Sequence, residues 1–123
     1  MLAEYTSRIL ILGTRVAGVY ELHDVLQSAL VDKGKAATSV DVIRFIDKIV
    51  PSITQPEAPP LRGVILFPEM RQKVGWYPRV VHVYEEEVDL AVKALCSQRN
   101  IPLFEMSNWQ PDQGVRSLGK LLE

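Results

Sequence analysis

Ile9, Leu10, Ile11 and Leu12 stand in an unbroken row that ends at Gly13. A strand with one wet face alternates apolar and polar residues, and an amphipathic helix spaces its apolar residues by three and four. An unbroken run instead fits a strand covered on both faces, which is the situation inside a parallel sheet. The period then changes. Between Val16 and Lys33, the residues Val19, Leu22, Leu26, Ala29 and Leu30 fall on one helical face, and Gly34 follows as a stop. A doubly covered strand running into an amphipathic helix commits the chain to an α/β arrangement.

The remaining segments extend this reading. Within TSVDVIRFIDKIVPS, the positions Val42, Ile43, Ile46, Ile49 and Val50 repeat as a helix, capped by Thr38 or Ser39 and ended by Pro51. Residues 51–60 form a proline-rich connector. Arg62–Phe67 and Arg79–Tyr84 read as strands, the latter from its β-branched alternation. Residues 86–99 return to helical spacing through Val88, Ala91, Val92 and Leu95. Ile101–Met106 is a strand, and Val115, Leu118, Leu121 and Leu122 belong to a short terminal helix. The expected fold is a single α/β domain over residues 1–123. It is a three-layer αβα sandwich on a mainly parallel four-stranded sheet, in the order β-α-α-β-β-α-β-α.

Composition narrows the function classes. Fourteen Lys and Arg against fifteen Asp and Glu give a net charge of −1. Nucleic-acid binding draws most of its affinity from a basic excess that neutralises phosphates, so this balance does not favour it. One cysteine, Cys96, excludes an intramolecular disulfide and suits a reducing compartment. No apolar run approaches the roughly 20 residues of a membrane span. A soluble cytoplasmic protein without membrane contact is the expectation.

Ligands of open parallel sheets collect at the carboxyl ends of the strands, where loops and helix starts converge. Three such stretches carry candidate residues. GTRVAG after the first strand holds Gly13, Thr14, Arg15 and Gly18. PEMRQKVGWYP holds Glu69, Arg71 and Trp76, and SNWQPDQG holds Asn108 and Trp109. Tryptophan beside mixed charges suits a binding surface, because it joins a large contact area to a polar handle. GTRVAG has the outer glycines of a phosphate loop, but Val19 and Tyr20 stand where lysine and a hydroxyl residue belong. Its amides and Arg15 offer at most an anion-binding turn.

No catalytic or metal constellation is legible. His23 with Asp24, and His82 on the expected third strand, match no zinc spacing. Glu85, Glu86 and Glu87 suit the positive end of a helix dipole. Cys96 lies within a helical apolar run and reads as core. Ser7, Ser28, Ser52 and Ser97 have no nucleophile-elbow context. No cofactor is assigned.

VDLAVKALCSQRNIPLFEMSN followed by SLGKLL resembles the closing helix–strand–helix of the ribosomal kink-turn-binding protein family. Leu95, Cys96, Ile101, Pro102, Leu118 and Gly119 carry the likeness, and Gly18–Leu22 (GVYEL) echoes the opening of that family's RNA-contacting helix. The resemblance implies RNA or ribonucleoprotein binding with Glu21 as a contact. Tyr20 replaces the family's asparagine and Asp24 its lysine, which removes an amide and adds charge that repels phosphate. The likeness covers under a third of the chain.

The leading expectation is a non-enzymatic binding module that engages a protein partner or a second copy through the strand-end loops. The alternatives are a small-ligand or nucleotide-phosphate domain built on GTRVAG, and an RNA-binding component.

Overall fold

A computed structural model describes residues 5–13, 19–66, 78–105 and 119–123; for Ile46, residues 78–87 and Lys120 only the backbone is described. The elements are β1 (Ser7–Leu12), α1 (Val19–Asp32), β2 (Thr38–Ile43), α2 (Ile46–Thr54), β3 (Leu61–Leu66), α3 (Pro78–Gln98), β4 (Leu103–Glu105) and a closing 3-10 turn (Gly119–Leu122). Four parallel strands form one sheet in the order β2-β1-β3-β4. β1 pairs with β2 from Ser7↔Thr38 to Leu12↔Ile43 and with β3 through Ile9↔Gly63 to Leu12↔Leu66.

Strand alternation divides the core into two halves. Ile9, Ile11, Val40 and Ile65 face Leu22, Leu26 and Leu30 of α1, together with Leu121 and Leu122. Leu10, Leu12, Val64 and Leu66 face Ile49 and Ile53 of α2 and Val88, Val92 and Cys96 of α3. Helices therefore cover both faces, which is why β1 and β3 carry unbroken apolar runs. Both long helices end in left-handed caps. Gly34 (φ 76°) closes α1 with Lys35 N–H donating to the Leu30 carbonyl at 2.7 Å. Asn100 (φ 55°) closes α3 with Ile101 N–H donating to the Cys96 carbonyl at 2.8 Å. Both are six-to-one Schellman bonds, and glycine and asparagine tolerate that backbone best. Among the described residues no helix is long and apolar enough to cross a membrane.

Two segments differ from the sequence expectation, although the class and the number of strands stand. Residues 38–43, expected to open a helix, form β2. The apolar positions taken as one helical face straddle the end of that strand and the start of α2. Pairing with β1 decides the matter, since each residue of TSVDVI gains a partner along a fully buried strand. Pro51, expected as a terminator, lies inside α2, where Ser52 Oγ donates to the Lys48 carbonyl at 2.7 Å and Thr54 Oγ1 to the Val50 carbonyl at 3.1 Å. The connector accordingly shortens to residues 55–60. Residues 79–84, expected as a strand, form the first turns of α3. Pro78 sits at its first position, where the ring presets the backbone and no N–H is missed. His82 is thus helical, and Glu85, Glu86 and Glu87 lie within α3 rather than opening a helix. The expected strand at 101–106 is represented by β4 alone; Met106, Phe67 and residues 115–118 lie outside the described residues.

Gly63 shows why one strand position must stay small. Leu121 Cδ2 occupies the place where a Cβ on Gly63 would sit, so the closing turn lies directly on β3. Gly63→Ala is expected to lower stability by about 1–3 kcal/mol through overpacking. Urea denaturation of Gly63→Ala, Leu121→Ala and the double variant checks this. The two losses combine to less than their sum, because trimming Leu121 relieves the clash.

Candidate functional site

The winding of the sheet fixes one edge as the place for a site. From β1 the chain passes through α1 to β2 on one side, then crosses by α2 to β3 on the other. The direction reverses and the helices change face, as crossovers of one hand require. The reversal falls between β1 and β3. α1 and α3, which follow these strands, lie on opposite faces, and the carboxyl ends between them are where open parallel sheets generally take ligands.

Gly13 follows β1 at this end of the sheet. It is buried, and its N–H donates to the Ile43 carbonyl at 3.1 Å, which ties the β1 turn to the end of β2. Thr14, Arg15, Gly18, Glu69, Arg71, Trp76, Asn108 and Trp109 lie outside the described residues. The strands from which their segments leave, β1, β3 and β4, all run parallel, so those segments start from one edge of the sheet.

The same edge holds a cluster that the sequence reading missed. β2 ends at Ile43, and Arg44 and Phe45 follow. Phe45 is extended (φ −96°, ψ 122°) at the N-cap of α2 without a side-chain capping bond. Serine, threonine, aspartate or asparagine normally fills that position and satisfies a helix N–H. A phenylalanine there gives the helix no cap and leaves its ring 68% exposed. Tyr20 lies in the first turn of α1, next to buried Val19, and is 56% exposed. The Arg44 guanidinium sits 5.7 Å from the Tyr20 ring centroid, and its Nη1 reaches the Tyr20 hydroxyl at 3.5 Å. That is cation–π distance. An exposed guanidinium thus lies against one exposed aromatic ring, and a second exposed aromatic residue follows it in the chain. Glu21, the contact implied by the kink-turn resemblance, is exposed beside Tyr20 in the same helical turn.

Other candidates resolve into structural roles. His23 Nδ1 lies 3.1 Å from Asp24 Oδ1 at the exposed surface of α1. Ser7 and Thr38 hydroxyls bond at 2.8 Å across the starts of β1 and β2. Cys96 is buried in the α2–α3 half of the core, and burial pushes its thiol pKa up, so the thiolate nucleophile is disfavoured. Asp89 on α3, which the sequence reading also missed, is a buried carboxylate with a partner. Among the described residues no three His, Cys, Asp or Glu side chains group to hold a metal ion. The edge offers exposed aromatic area and a positive charge.

No model of a known protein family matches the chain, and no curated protein matches it significantly. For Cys96, the expectation is a thiol that resists a disulfide reagent in the native protein and reacts fully in denaturant. Timed labelling at mildly alkaline pH, with and without urea, measures the difference.

Proposed function

We propose that the chain is a non-enzymatic binding module that engages a protein partner, or a second copy of itself, through the carboxyl edge of its sheet. The supporting observation is the exposed Tyr20–Arg44 pair with exposed Phe45 next in the chain, here called the Tyr20–Arg44–Phe45 cluster. Aromatic residues and arginine dominate the few positions that carry most of an interface's affinity. Phe45 is held at a helix cap that it does not satisfy, so its ring contributes more to an outside contact than to its own fold. Trp76 and Trp109, on segments that leave the same edge, extend the same chemistry in sequence.

A second reading rests on a different observation. The reversal of winding between β1 and β3 is where open parallel sheets hold small ligands. An anion such as a nucleotide phosphate would use the amides of residues 13–18 and Arg15.

Light scattering coupled to size exclusion, on the wild type, Phe45→Ala and Arg44→Ala, tests the first reading. A wild-type mass at a multiple of 13.9 kDa that falls to 13.9 kDa in Phe45→Ala identifies a self-interface. Against a heterologous partner, Phe45→Ala is expected to cost about 2 kcal/mol, or roughly thirtyfold in affinity. A partner whose affinity neither variant changes refutes the role of the cluster. For the second reading, a nucleoside diphosphate is expected to raise the melting temperature of the wild type and not of Arg15→Ala.

A further inference from the structure

The opposite, amino edge of the sheet carries a recess of about 260 Å³. It is bounded by Arg8 at the start of β1, Leu61 at the start of β3, Gln55 and Pro59 of the connector, and Arg99 and Ile101 between α3 and β4. Among the described residues no carboxylate lines it.

Arg8 is the unusual member. It is 6% exposed, yet an arginine keeps its charge at any ordinary pH. Its Nε donates to the Pro59 carbonyl and its Nη1 to the Ser52 carbonyl, each at 2.8 Å. These neutral acceptors fix the guanidinium plane without cancelling its charge. Among the described residues no carboxylate lies within ion-pair distance of Arg8. Burial draws its pKa below the ordinary arginine value, and Asp41 on β2 opposes that only through space. Buried charges are ordinarily paired, because isolation from water is costly. Here the second charged group at the recess is another guanidinium, Arg99, which is exposed.

We propose that this recess binds a small oxyanion, a carboxylate or a phosphate monoester, with its head on Arg8 and Arg99 and a short apolar body against Pro59, Leu61 and Ile101. Two guanidinium groups at one recess form a complementary seat for a planar or tetrahedral oxyanion. The prolines and aliphatic side chains limit the body to a few carbon atoms. This site lies at the opposite edge from the Tyr20–Arg44–Phe45 cluster, and either can fail without the other.

Isothermal titration of the full chain in low-salt, phosphate-free buffer, first with inorganic phosphate and then with butyrate, is the test. The expected result is binding of at least one probe, weakened tenfold or more in Arg99→Gln. The tighter probe identifies the head group. Arg8 anchors the connector and its replacement risks unfolding, so its part is followed in the wild type by the shift of its ¹⁵Nε resonance on titration. Absence of binding by both probes overturns the proposal. So does binding that survives Arg99→Gln, or that leaves the Arg8 resonance unmoved.

Discussion

β1 has no free side. Its backbone is hydrogen-bonded to β2 along one edge and β3 along the other, and Ile9 to Leu12 are sealed on both faces. Each such side chain contributes on the order of 1.5–3 kcal/mol when taken from water. The other elements are arranged to satisfy this strand. α1 and the closing turn cover the face of Ile9 and Ile11, while α2 and α3 cover that of Leu10 and Leu12. Because β1 must have a neighbour on each edge, the chain has to reverse its winding beside it. That reversal falls between β1 and β3.

Arg8, the second residue of this strand, settles a local problem in the connector. Proline cannot donate a backbone hydrogen bond, so residues 55–60 have carbonyls to satisfy and few donors of their own. Arg8 meets two of them. Its backbone N–H donates to Pro60 at 3.0 Å and its Nε to Pro59. The guanidinium also reaches back to Ser52 in α2, so one residue joins β1, α2 and the entry to β3. The geometry that braces the connector also leaves a cation at the wall of a recess.

How much of this was legible in the sequence depends on how local each cause is. β1 and α1 are written in short-range patterns, an unbroken apolar run and a three-and-four spacing closed by Gly34, and both appear where expected. Residues 38–43 carry a helical spacing that is an accident of two adjoining elements. Their strand state comes from β1, some thirty positions away in register (Ser7↔Thr38). At residues 79–84, β-branched composition pointed to a strand while Pro78 and the helical spacing further along pointed to a helix, and the long helix prevailed. The cluster at Arg44 and Phe45 went unseen for the same reason as β2. Only when Ile43 ends a strand does the next pair stand at a carboxyl end. The Arg8 recess is less legible still, since its partners Ser52 and Pro59 are 44 and 51 residues distant. Arg15, Trp76 and Trp109 lie on segments that follow strands in sequence, and the strands that precede them run parallel.

The position of β1 has a consequence during synthesis. It is made before every element that covers it, and its second edge is not paired until residues 61–66 have been joined. Until then a nascent chain presents an apolar strand with open hydrogen-bonding groups, the kind of segment that associates with copies of itself. Arg8 at one end and Arg15 shortly beyond the other place like charges beside that run, as gatekeeper residues do. The strand that later organises the fold is thus the one most in need of shelter while the chain is incomplete.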